Sequence, residues 1–209
     1  MSMHIYLILF GAVTFLAGFV CAFFIYHEYK CEYVKTIKPD ITLEQMKMSE
    51  ENIARFLQEH QLNKGTNIWK IAEVLKVSEG GEDTKIDDEA RLSKPDENGN
   101  MVVTFKVGLR PEQKIFNFAH ECAHFINKDA VPVTRPAGLH KAPIEQLADS
   151  TAAALLMPLD DVFCYLEINN YKTLSSHSRM KILRCLCKKY EVSEIIALRR
   201  IQEVYKIKS

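Results

Sequence analysis

From Ile5 to Tyr26 the chain reads IYLILFGAVTFLAGFVCAFFIY, 22 residues without a charge. As a helix rising about 1.5 Å per residue, this run reaches roughly 33 Å, enough to cross the hydrocarbon layer of a bilayer. A cleaved signal peptide is the rival reading. It is disfavoured because no Lys or Arg precedes the run, the run is too long for an h-region and no A-x-A site follows it. The expected organisation is therefore a single-pass transmembrane anchor over residues 1–29, a juxtamembrane linker over 30–40 and a folded domain over 41–209. Lys30, Lys35 and Lys38 follow the span and only Met1, Ser2, Met3 and His4 precede it. The positive-inside bias then places the C-terminal body in the cytoplasm, at the membrane.

The six cysteines, Cys21, Cys31, Cys122, Cys164, Cys185 and Cys187, form no regular framework and no C-x-x-C pair. They read as free thiols in a reducing compartment, in agreement with that orientation. A formal net charge of zero hides an asymmetry: Tyr171–Ser209 carries ten Lys/Arg against three Asp/Glu, whereas Asp40–Asn170 carries fourteen against twenty-two. An acidic body ends in a basic tail segment.

Within the body, periodicity predicts a helix over 42–60 with Leu43, Met46, Ile53, Phe56 and Leu57 inward, and a second over 67–77 closed by Gly80-Gly81. An acidic loop, EGGEDTKIDDE, is expected to follow. Met101, Val103, Phe105 and Val107 alternate with Val102, Thr104 and Lys106, the pattern of a half-buried strand. Asn98-Gly99 is a hairpin signal that makes 88–94 its antiparallel partner. Strand 101–107 is also read as an edge on which an extended substrate could pair. Pro111 opens the next helix; a Pro-rich loop spans 128–142; residues 143–157 form a helix ended by Pro158; and 159–206 reads as three further helices.

On the helix over 112–127, Ile115, Phe118, Ala119, Cys122, Phe125 and Ile126 form one apolar stripe. His120 and His124, at i and i+4 in HECAH, share another side with Glu121 beside them. Two such imidazoles can take adjacent corners of a tetrahedral zinc site, with the glutamate in reach of a bound water. Two hydrogen-bonded histidines and a surface glutamate are the alternative, so a third ligand is needed. The segment IEQLADSTAAALLMP supplies Glu145 and Asp149, four apart along a face that continues into Ala152 and Leu156. Carboxylates on an apolar face are costly unless paired or metal-bound. With Glu145 as the third ligand, Asp149 one turn on can accept a hydrogen bond from a ligating imidazole and fix its tautomer. His140, in the intervening loop, is a rival ligand without helical geometry.

HECAH followed about twenty residues on by E-x-x-A-D-x-x-A-A-x-L-L-M-P resembles the ImmA/IrrE family of zinc metallopeptidases, as do FNFAHE before the motif and KYEVSEIIALRRI near the end. The resemblance covers about residues 45–205. Cys122 and Ala123 replace the Leu-Gly of the family's usual HELGH, which removes no catalytic group, and many members lack a membrane span. The resemblance implies an α+β, mostly helical zincin-like domain with a small antiparallel sheet, with His120, His124 and Glu145 as ligands of Zn2+ and Glu121 as general base. It further implies an endopeptidase whose substrate is a helix-turn-helix repressor of a mobile element. Two other classes remain to be weighed. One is a non-catalytic zinc-stabilised module that sequesters a regulator, against which an intact Glu121 argues. The other is direct nucleic-acid binding through the basic end, against which the acidic body and the anchor argue.

Overall fold

The computed structural model describes residues 41–86, 88–129 and 143–209. The anchor reading of Ile5–Tyr26, the linker over 30–40, His140, Cys21 and Cys31 all lie outside the described residues. No helix among the described residues is long and apolar enough to cross a membrane. Cys122, Cys164, Cys185 and Cys187 are free thiols.

Seven α-helices and three strands make an α+β fold among these residues. Helix α1 (Leu43–Glu59) starts at a capping box in which the Thr42 hydroxyl accepts from the Gln45 N–H and the Gln45 side chain accepts from the Thr42 N–H. It buries Met46, Phe56 and Leu57, whereas Leu43, expected inward, is 42% exposed in the first turn. Helix α2 (Ile68–Leu75) is capped by Asn67 and ends at Lys76 in the left-handed conformation. The strands follow: β1 (Val77–Asp83), β2 (Ala90–Leu92) and β3 (Met101–Lys106). Then come α3 (Pro111–Ile126), with proline in its first turn, and α4 (Pro143–Leu156). Helices α5 (Leu159–Ile168), α6 (Ser176–Tyr190) and α7 (Glu194–Lys208) complete the chain, a single 3-10 turn at Tyr171–Thr173 lying between the first two.

The sheet is mixed rather than antiparallel. Its order is β1-β3-β2, with β1 parallel to β3 and β2 antiparallel to it. Asn98 and Gly99 turn the expected hairpin, with Asp96 Oδ1 accepting from the N–H groups of Asn98 and Asn100 and Gly99 at φ 77°. The Gly80-Gly81 pair is the source of the discrepancy: it does not terminate α2 but lies inside β1. There it takes up a register shift between Glu79 and Glu82, and a Cβ at Gly80 would meet Val102 Cγ1 at 2.5 Å and the Val103 carbonyl at 3.0 Å. Glycine marks a close backbone approach here, not a stop. The acidic loop is in part a strand, and β3 is the central strand of the sheet. It is therefore no edge for a substrate; that position belongs to β1 and β2.

Met101, Val103 and Phe105 point from the sheet into a core shared with Phe118, Ala119 and Cys122 of α3 and with Ala148, Ala152 and Leu155 of α4. Burying a side chain such as Phe105 or Phe118 stabilises the fold by about 1.5–3 kcal/mol. Helices α3 and α4 pack extensively on each other, and both contribute fully buried alanines, Ala119 and Ala123 on one, Ala148 and Ala152 on the other. Side chains that small let two helix backbones approach closely. The same closeness sets the acidic start of α4 against the histidines of α3.

Candidate metal centre

His120 and His124 occupy successive turns of α3, and Glu145 and Asp149 successive turns of α4; all four are buried. The two imidazole rings stand edge to face at 85°, their centroids 4.8 Å apart. Their Nε2 atoms lie 3.1 Å from each other. Glu145 closes the group, with Oε2 3.3 Å from His120 Nε2 and Oε1 3.5 Å from His124 Nε2. The structure thus brings together the three residues that the sequence marked as ligands, with one donor atom of each within 4.8 Å of the others.

The opposite edge of each ring decides what these atoms can be. His120 Nδ1 is 2.8 Å from Asp149 Oδ1, and His124 Nδ1 is 2.9 Å from Asp129 Oδ2. An ionised carboxylate only accepts, so each ring donates from Nδ1 and, in its neutral form, keeps a lone pair on Nε2. In that form neither Nε2 donates to the other, and two lone pairs and a carboxylate converge on one spot. A cation resolves that arrangement. Ligands about 2.0–2.1 Å from a tetrahedral zinc are separated by about 3.3 Å; the two Nε2 atoms lie 3.1 Å apart, and Glu145 places Oε2 3.3 Å from one of them and Oε1 3.5 Å from the other. The residues present fit a divalent metal ion. Two imidazoles and one carboxylate also form a donor set that leaves a coordination position for water or substrate.

Asp129 was not marked in the sequence, because its placement depends on how α3 ends. Lys128 adopts a left-handed conformation, φ 62°, and the N–H of Asp129 donates to the His124 carbonyl while that of Lys128 donates to the Phe125 carbonyl. This is a Schellman turn with lysine at the site glycine usually fills. It folds Asp129 back over the histidine five residues before it. Asn127 locks the same end: its Oδ1 accepts from Asn52 of α1 and from the Thr151 hydroxyl of α4.

Glu121 follows His120 and is half-buried. Cys122 turns the other way, into the core; burial pushes its thiol from 9.0 up to about 12, with the charge of Glu121 adding to the effect. It is therefore a neutral core group and no metal ligand. One turn before the histidines, Asn117 Nδ2 donates to Glu89 Oε2, which ties the start of β2 to α3.

Residues 80–202 match the sequence model of the IrrE N-terminal-like domain, Peptidase_M78. The chain belongs to this family. No curated protein matches the chain. In this IrrE-like domain the match runs from within β1 to within α7 and takes in both helices of the histidine-carboxylate centre. Membership makes the protein peptidase-like, and the buried His-His-Glu group gives it the means to hold a metal ion.

Two cations of the basic C-terminal segment, Arg199 and Arg200, are not at the surface, whereas the other eight are exposed. Arg200 is fully buried: Nε donates to the Met157 carbonyl (2.8 Å) and Nη2 to Glu50 Oε1 (2.6 Å). Arg199 reaches Glu203 Oε1 at 3.1 Å, Asp149 Oδ2 at 3.4 Å and the Gln146 carbonyl at 3.4 Å. Both arginines are turned into the fold.

Proposed function

We propose that the chain is a zinc-dependent endopeptidase. The observation that carries this reading is the convergence of His120 Nε2, His124 Nε2 and the Glu145 carboxylate, each imidazole held from behind by an aspartate, in a domain of a peptidase family. Zinc supplies Lewis acidity when bound there: it polarises a scissile carbonyl and acidifies a water. Glu121 takes the proton from the attacking water and passes it to the leaving amine. Asp149 and Asp129 keep both imidazoles in the tautomer that presents Nε2 inward.

An extended substrate has a suitable rail in β2. Lys106 N–H donates to the Glu89 carbonyl and Ser93 N–H to the Val102 carbonyl, and Arg91 faces Thr104 in the same register. In an antiparallel pair these positions alternate with ones whose backbone groups point away, so Ala90 and Leu92 direct their N–H and C=O groups outward. A peptide added there would lie beside the strand tied to α3 through Asn117. The substrate proposed is a helix-turn-helix repressor of a mobile element. Ile5–Tyr26, as a single-pass anchor, would hold the peptidase at the cytoplasmic leaflet.

The test compares full-length wild type with Glu121→Gln, each incubated with the repressor encoded beside the gene, fragments being followed by mass spectrometry. Glu121→Gln should retain zinc by elemental analysis and lose at least about a hundredfold in cleavage rate, the usual contribution of a positioned base. Equal cleavage by both forms removes Glu121 from its role.

A further inference from the structure

We infer that Arg199 is a positioning residue of the metal centre, acting through Asp149 to hold His120 in its ligating state. The inference rests on the metal reading above and extends it to a residue of α7. Asp149 is the middle of a line: its Oδ1 meets His120 Nδ1 at 2.8 Å and its Oδ2 meets Arg199 Nη1 at 3.4 Å. The other end of the guanidinium, Nη2, donates to the Gln146 carbonyl at 3.4 Å, in the turn that carries Glu145. Arg199 Nε is held in turn by Glu203 Oε1 at 3.1 Å. One planar fork therefore grips α4 at both of its carboxylate-bearing turns and is aimed by a carboxylate of its own helix.

The chemistry follows from burial. Asp149 is 3% exposed, and a carboxylate in such a place requires a compensating positive charge. Arg199 supplies a permanent one with directional donors on the oxygen that faces away from the histidine. The oxygen that remains for His120 then acts as an acceptor only, which obliges Nδ1 to donate and leaves the Nε2 lone pair for the metal. Arg200, the neighbouring residue, does different work. Its partners are the Met157 carbonyl, Glu50 and Glu203, so it fastens α7 to α1 and to the end of α4 without touching a ligand or the residue behind one.

The test measures zinc affinity of the full-length protein, by competition with a chromophoric chelator, with zinc alone as the probe. Arg199→Gln should bind zinc about 10- to 100-fold more weakly than wild type, the range seen when an outer partner of a ligating histidine is removed. Asp149→Asn should weaken it similarly, and the double variant should be no weaker than Asp149→Asn, because both changes break the same line. Arg199→Lys keeps the charge without the fork and should give an intermediate loss; it also serves if Arg199→Gln does not fold. Arg199 variants with wild-type affinity, or losses that multiply in the double variant, would overturn the inference while the metal reading stands. A wild type that takes up no zinc overturns both. A wild type that binds zinc and cleaves no repressor overturns the peptidase reading alone, and the inference is then judged on the affinities.

Discussion

Two clusters of buried charge meet at α4, and they are closed in different ways. At the far end of the helix, Arg200 lies among Glu50, Glu203 and the Met157 carbonyl, with charge of both signs supplied by the chain. At the near end, Glu145, Asp149 and Asp129 surround two imidazoles whose inward atoms are lone pairs. Most of the groups in both regions are buried, and both are stabilised only if positive and negative charge balance. In the first the fold achieves the balance alone. In the second two imidazoles and a carboxylate converge on a spot where a metal ion could be held. A structural ion network and a metal centre can therefore be told apart by asking which atoms of the buried groups point at each other.

The largest expected effect breaks the self-contained cluster. Arg200→Met removes a guanidinium and leaves Glu203, which has no exposure, deprived of one of its two arginines. Removing one partner of a buried pair costs about 3–5 kcal/mol. Denaturant unfolding of full-length protein should show a loss of this size, while zinc affinity of the folded protein stays within about threefold of wild type. A variant as stable as wild type would show that the cluster contributes no more than a surface pair.

How far each region could be read in advance differs for the same physical reason. His120, His124, Glu145 and Asp149 sit on helices at i and i+4, and helical periodicity alone places such pairs on one side. The alternation at 101–106 and the Asn98-Gly99 turn likewise announced β3 and its hairpin. Asp129 is different: it reaches His124 only because Lys128 takes a left-handed conformation that favours glycine and that nothing in its side chain advertises. Arg199 and Arg200 were counted as part of a basic surface, because composition carries no direction and, Glu203 apart, their acceptors lie 43 to 150 residues away, Met157 and Glu50 marking the two ends of that range for Arg200. Gly80-Gly81 was read as punctuation because the strand that presses on it, β3, is distant in sequence. Local patterns were legible; long-range satisfaction of charge and backbone was not.

The second effect acts on the other cluster and is smaller. If the near end of α4 is completed by a cation, stripping it should destabilise the fold by mass action: about 2.7 kcal/mol separates metal-free protein from protein at free zinc a hundred times its dissociation constant. The thermal midpoint of the full-length chain should rise with added zinc and fall again with a chelator. Glu145→Gln should abolish the response, since an amide is a poor substitute for the carboxylate that closes the group. A midpoint indifferent to zinc in wild type would make the two clusters alike and leave the histidines as a purely internal network.

The smallest effect concerns the pH at which the self-contained cluster balances. Burial pushes the Glu203 carboxyl above the 4.5 of an ordinary glutamate, and Arg200 and then Arg199 oppose this only in part. An acid whose folded value is raised binds its proton more tightly when folded. Its contribution to stability is fully present below 4.5 and is lost as pH rises through the folded value. Wild type should therefore lose stability relative to Glu203→Gln as pH is raised from about 4 towards 7, with a difference in slope no greater than about 1.4 kcal/mol per pH unit, the limit for one proton. Denaturant midpoints of the two proteins across that range measure the difference. Parallel curves would mean that the two arginines keep Glu203 ionised in the fold as readily as water does in the unfolded chain. The cluster would then owe nothing to protonation, and its balance would rest on ion pairing alone.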